Sequence, residues 1–282
     1  MKTHLSISGG ATDIVTLAGC VFSILEKGFE PNSFSGVSAG AILSLPLALK
    51  KYNQIENLVR NFTLDTIFDK KPVGKKGGVS AGAIARVAFG ANSFGTYENL
   101  RKTLTSVVSK DDFAKLDCDV FVGVTNYTNG NSEIHNIRNY SYEDAISFVI
   151  ASASIPIFAP PVFIKGSEYF DGGIRDHCIA NKLLDQYDFE ELVTIYVRDT
   201  LNKSQKPFVC NDILSIAERT IQIRSSEISL SDQRIESEIC HRKGIKYQTF
   251  NLVGQMDSYF DCDKANNLKG WQHGKEVGLG YK

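Results

Sequence analysis

Residues 36–40 run Gly36-Val37-Ser38-Ala39-Gly40, and no other stretch restricts the fold so tightly. Gly-x-Ser-x-Gly requires a strand that turns into a helix so sharply that the positions beside the serine must be small. The turn holds the serine hydroxyl out where a substrate carbonyl can reach it. Upstream, the alternating segment His4–Ser8 ends in Gly9 and Gly10, a turn that can offer free backbone N–H groups to a developing oxyanion. A nucleophile and an oxyanion loop this close together make acyl hydrolysis the leading expectation.

The pentapeptide recurs as Gly78-Val79-Ser80-Ala81-Gly82, so context must separate the two serines. Ser38 follows an extended segment around Phe34 and precedes Ala39–Leu49, which is apolar almost all round, as a fully buried helix should be. Pro46 should kink that helix. Ser80 follows Lys75-Lys76-Gly77-Gly78, which cannot supply a core strand, and its expected role is a helix N-cap.

The rest of the chain alternates strands and helices. Helices are expected at Ile14–Glu26, from Ala81, at Tyr97–Val107, Tyr142–Ala151, Asp212–Cys240 (in one or two pieces) and Ala265–Val277. Strands are expected at Asp119–Asn126, with Glu133–Ile137 as a hairpin partner across Asn129-Gly130, and at Phe163–Phe170, Leu192–Val197 and Tyr247–Leu252. This order implies an α/β fold of three layers, a mainly parallel central sheet covered by helices on both faces. The length of 282 residues suits one domain over 1–282, with a motif-bearing core of about 4–200 and segment 211–282 belonging to it.

A net charge of −1 excludes a broad positive field for nucleic acid. No apolar run reaches membrane-spanning length, and Met1-Lys2-Thr3-His4 leads into a strand rather than a signal peptide, so a cytoplasmic protein is expected. The basic loop Lys70, Lys71, Lys75 and Lys76 is a candidate peripheral contact for anionic lipid head groups, or a lid. Six scattered cysteines (Cys20, Cys118, Cys178, Cys210, Cys240 and Cys262) without a Cys-x-x-Cys pair read as reduced thiols. No cluster suggests a catalytic metal, Asp111 and Asp112 read as turn caps, and no cofactor is implied.

A serine nucleophile needs a proton acceptor. The order Ser38…Asp171…His241 or His273 would suit an α/β-hydrolase triad, but Ser38 comes after only one clear strand, and neither histidine has a catalytic setting. Asp171, ending a strand in Phe170-Asp171-Gly172-Gly173, is the better candidate base.

These motifs together resemble the patatin-like phospholipases. The resemblance runs from Ser8 through Gly19 and over Gly36–Ala41, and returns at Gly95–Leu100, Ala151–Pro156 and Asp171-Gly172-Gly173. It implies a lipid acyl hydrolase that cleaves fatty-acyl esters of membrane lipids through an acyl-enzyme. Ser38 would be the nucleophile and Asp171 the general base, without a histidine. Gly9, Gly10 and Ala11 would form the oxyanion hole, with Gly36, Gly40, Gly172 and Gly173 as supporting glycines. Burial should raise the Asp171 pKa, and the helix beginning at Ala39 should aim its positive end at Ser38.

One departure stands out. Where the family loop carries a third glycine, a basic residue and another glycine, this chain has Ala11, Asp13 and Ile14. At about 7 Å from the oxyanion, the Asp13 carboxylate would cost roughly 2 kcal/mol, some thirtyfold in rate. As an N-cap of the following helix it would point away. Two other readings stand beside the lipid hydrolase: a catalytically weak patatin fold that binds a membrane or partner, and a soluble esterase or acyltransferase.

Overall fold

The computed structural model describes residues 2–74, 78–198, 213–256 and 258–282. Five strands form the parallel part of the sheet: β1 (Thr3–Ile7), β2 (Ser33–Val37), β3 (Asp119–Asn126), β7 (Glu191–Arg198) and β8 (Lys246–Val253). β4 (Ser132–Asn136), β5 (Val162–Ile164) and β6 (Ser167–Asp171) are antiparallel to their neighbours. The order is β5-β6-β3-β2-β1-β7-β8, with β4 also paired to β3. The sheet is therefore mainly parallel, as the alternation of elements requires.

Side-chain alternation along each strand divides the interior. Leu5 and Ile7 of β1, Val120, Val122 and Val124 of β3, and Val193, Ile195 and Val197 of β7 face the larger core. That core is closed by α1 (Ile14–Glu26), α2 (Ala39–Ala48), α3 (Tyr52–Arg60), α6 (Glu98–Val107), α8 (Tyr142–Ser152) and α11 (Lys264–Gly278), beside the short α4 (Leu64–Ile67), α5 (Ala81–Ala88) and α7 (Lys110–Phe113). Phe121, Leu192 and Tyr196 point the other way, to α9 (Ala180–Leu184) and the long α10 (Ile213–Lys243). That face has a polar centre. His4 bonds Ser33 and Ser35 at 2.9 and 2.8 Å, and Ser35 donates to Ser6 at 2.6 Å. Burial holds His4 down to about 3, so it is neutral near pH 7.

α11 lies directly on α1. A methyl added at Gly274 would fall 2.1 Å from the Thr16 carbonyl oxygen, so glycine is what lets the two backbones approach. Every residue of α2 is buried, and the helix runs through Pro46, where the missing N–H leaves the Ile42 carbonyl without its helical donor.

One expectation changes. Phe163–Phe170 is a hairpin rather than one strand: Ile164 pairs with Ser167 across Lys165 and Gly166, both at positive φ (48° and 89°). A two-residue turn of this handedness matches strand twist, and the apolar alternation had hidden it. Part of the basic loop is pinned by bridges Lys70–Thr96 and Val73–Val79. Lys75, Lys76 and Cys210, and the expected helix start at Asp212, lie outside the described residues.

Candidate active site

β2 ends at Val37 and α2 begins at Ala39, leaving Ser38 alone in the turn at φ 53° and ψ −119°. A side-chain-bearing residue at positive φ is strained and persists only where its surroundings hold it. Here the Ser38 N–H donates to Ser152 Oγ at 2.9 Å, and that hydroxyl donates to the Gly123 carbonyl at 2.6 Å. The flanking glycines are steric necessities. A methyl at Gly36 would lie 2.3 Å from the Gly40 carbonyl, and one at Gly40 2.1 Å from the Ile7 carbonyl oxygen. Ser38 also sits at the positive end of the α2 dipole.

Asp171 arrives from the opposite direction as the last residue of β6, beside Val124 of β3. Its N–H donates to the Ser154 carbonyl at 2.9 Å, and Oδ1 accepts the Gly173 N–H at 2.7 Å. Burial pushes its carboxyl up to about 7, against the downward pull of hydrogen bonds from the Ser38 hydroxyl and the Gly173 N–H. Ser38 and Asp171 both line one cavity of about 250 Å³, together with Gly9, Gly10, Ala11, Gly173 and His177. A smaller apolar cleft, lined by Ile42, Phe68, Leu100, Phe158 and Phe260, shares Ala11 and Ser38 with it.

The glycine turn differs from the expected donor set. The Gly9 N–H already donates to the His177 carbonyl at 3.0 Å. Among the described residues no acceptor is bonded to the Gly10 and Ala11 N–H groups, and Ala11 takes up a left-handed φ of 46°. Asp13 occupies the N-cap position of α1 without making the capping bond. Its Oδ1 instead accepts from Thr16 Oγ1 at 2.9 Å and the Gln255 N–H at 2.8 Å, while the residue still borders the cavity.

Other candidates lie elsewhere. Ser80 accepts the Ala83 N–H at 3.0 Å, the expected N-cap. His241 is on the last turn of α10, in a separate groove with Tyr247. His273 Nε2 accepts the Val253 N–H at 3.2 Å. Asp112 completes a capping box with Ser109 and pairs with Lys51 at 2.6 Å, and Asp111 lies in the same first turn. Cys20, Cys118, Cys178, Cys240 and Cys262 are free thiols. Among the described residues no group of three or more His, Cys, Asp or Glu side chains is placed to hold a metal ion, and no helix is long and apolar enough to cross a membrane.

Among the cavity residues that sequence reasoning missed are His177 and Arg224. His177 was available as a signal, since it follows Asp171 by one short loop. Arg224 of α10 was not, because only tertiary packing brings that helix to the cavity.

The fold is a mainly parallel α/β sheet with helices on both faces, a serine in the strand–helix turn after β2 and an aspartate at the end of β6. Comparison with known families specifies it. The sequence profile of the patatin-like phospholipases matches residues 5–184, and the chain belongs to that family, whose members generally act as lipid hydrolases. Among solved structures it is similar to VipD from Legionella pneumophila, with 13% identity and a TM-score of 0.51. The match covers 99% of this chain and 66% of VipD, and at that identity it speaks to the fold alone. No curated protein sequence matches.

Proposed function

We propose that this protein is a lipid acyl hydrolase of phospholipase A or lysophospholipase type, working through Ser38 and Asp171. The observation that carries this reading is that Ser38, held at positive φ in its turn, and the buried Asp171 line one cavity together. Near pH 7 about half of Asp171 is ionised, so it is a far better base than an exposed carboxylate. Ser38 Oγ attacks the ester carbonyl as its proton passes to Asp171. Gly10 and Ala11 N–H groups hold the resulting oxyanion, and collapse expels the leaving alcohol, which takes the proton back. Water then repeats the sequence on the acyl-enzyme.

A membrane-facing surface accompanies the site. α5 exposes Ile84 and Val87, and its C-cap Phe89 is 92% exposed, just after the basic loop of Lys70 and Lys71. The following segment returns to the cavity rim, where the Phe94 N–H donates to the carbonyl of half-exposed Ile157 at 2.7 Å. On this reading these exposed apolar side chains enter the bilayer surface that presents the ester to Ser38.

A catalytically weak scaffold is the competing reading, favoured by the engaged Gly9 amide and by Asp13 at the cavity. A fluorophosphonate probe decides: one adduct on Ser38, lost in Ser38→Ala and kept in Ser80→Ala, is expected of the hydrolase. No labelling of folded protein with vesicles present would leave the scaffold. Faster turnover of short soluble esters than of phospholipid vesicles would instead indicate a soluble esterase.

A further inference from the structure

His177 is held in place by its backbone and its ring together. Its N–H donates to Asp232 Oδ2 at 3.0 Å, its carbonyl accepts the Gly9 N–H at 3.0 Å, and its Nδ1 lies 2.6 Å from Ser229 Oγ on α10. The ring is buried against Tyr196. Burial holds it down to about 4, so it is a neutral imidazole with a single proton near pH 7.

The surroundings decide which nitrogen carries that proton. Ser229 is 2% exposed, and among the described residues His177 Nδ1 is the partner of its hydroxyl. A buried O–H with nowhere to donate costs far more than an idle lone pair. The hydroxyl therefore donates to Nδ1, and the ring proton resides on Nε2. That nitrogen and Ser38 both border the Gly9 position and the same cavity. A methyl on Gly9 would touch His177 Nε2 at 3.4 Å and Ser38 Cβ at 3.5 Å, so a gap one methyl wide separates imidazole from elbow.

We propose that His177 is a catalytic residue of this site, donating its Nε2–H to the oxyanion in place of the engaged Gly9 amide. The role rests on the acyl-hydrolase reading. As Ser38 Oγ bonds to the carbonyl carbon, the C=O π pair moves onto oxygen and is met by Nε2–H together with the Gly10 and Ala11 N–H groups. Collapse returns the pair, breaks the bond to the leaving oxygen and releases the hydrogen bond. His177 keeps its proton throughout, and Asp171 alone carries the serine proton. With no lone pair free at Nε2, the imidazole is not a second base.

The test combines two readouts on the full chain. Imidazole ¹⁵N–¹H correlation on histidine-labelled protein reads the tautomer. The expected result is a proton on Nε2 of a neutral ring from pH 5 to 8, with that N–H resonance shifting when a fluorophosphonate occupies Ser38. In ester hydrolysis, His177→Phe is expected to lower kcat by about 10²–10³-fold with KM little changed. His177→Gln, which keeps an N–H near the same point, should recover at least about tenfold of that loss. A proton on Nδ1 overturns the proposal, as does folded His177→Phe protein within about threefold of wild type. Should His177→Phe fail to fold, the tautomer and the His177→Gln rate decide. Wild-type protein that never labels at Ser38 overturns the hydrolase reading and the oxyanion role with it, while the spectrum still reports the tautomer.

Discussion

Ser152, the last residue of α8, holds the strained Ser38 through a single hydroxyl: it accepts the Ser38 N–H at 2.9 Å and passes its own proton to the Gly123 carbonyl at 2.6 Å. All three residues are buried or lie in a buried strand, so water cannot replace the bridge. Ser152→Ala strands one donor and one acceptor, and the expected loss of stability is about 2–3 kcal/mol by urea unfolding. The elbow should loosen as well, lowering kcat more than it raises KM. A variant as stable and as active as wild type would show that the turn holds itself.

The duplicated pentapeptide supplies a matched pair. A methyl at Gly40 collides with the Ile7 carbonyl oxygen at 2.1 Å, whereas one at Gly82 meets only the end of Arg86 at 3.5 Å. Gly40→Ala should cost about 3 kcal/mol or more. Gly82→Ala, within α5, should be neutral or stabilising by up to about 1 kcal/mol. Thermal melts of both variants check this, and equal shifts would mean that the two turns are equivalent.

Asp171 should impose the pH profile. The proposed base acts in its ionised form, so kcat/KM is expected to rise with pH through about 7 and then level off. Neighbouring groups leave that limb clear: His177 is already neutral there, and Tyr97, raised by burial and by the Asp171 charge, stays protonated. Asp171→Asn should abolish the limb and lower the rate by about 10²–10⁴-fold. A wild-type profile flat from pH 5.5 to 8.5 contradicts the assignment.

Glu236 is a second buried carboxyl, in contact with the Tyr196 hydroxyl at 2.7 Å and the Tyr247 hydroxyl at 3.1 Å. Burial pushes it up to about 8, with the nearby Asp232 charge adding to the push. Because the folded value exceeds the unfolded one of about 4.3, folding takes up a proton between the two. The stabilising contribution is full below about pH 4 and is lost as pH rises through 8, at up to about 1.4 kcal/mol per unit. The buried histidines His4 and His177, lowered by burial, give the opposite slope at acid pH. Comparison with Glu236→Gln cancels them. Urea titrations at about pH 5 and 8 should show the wild type losing ground to the variant as pH rises, and a constant difference would refute the linkage.

Phe89→Asp tests the proposed membrane contact. Exposing a charge where a fully accessible ring would enter the bilayer should weaken vesicle binding by about tenfold or more. Hydrolysis of a short soluble ester should not change. Sedimentation with anionic vesicles reads the first effect, and unaltered binding would place the membrane contact elsewhere.

Much of this was legible in one dimension because the constraints are local. Gly36 and Gly40 announce a turn that only small residues permit, the apolar run from Ala39 announces a helix buried on all sides, and the strand–helix rhythm announces a parallel sheet. The Lys165-Gly166 turn escaped because apolar alternation continues on either side of it.

Sequence alone determined the sheet's class, the elbow and the separate character of Ser80, since each depends on residues a few positions apart. Tertiary structure decided that the Gly9 amide is occupied, that Asp13 binds Thr16 and Gln255 instead of capping its helix, and that His177 and Ser229 face each other beside Ser38. Those facts depend on which groups from remote strands and helices fill each other's hydrogen bonds. A chain of donors and acceptors does not reveal its pairings until the backbone has brought them within 3 Å.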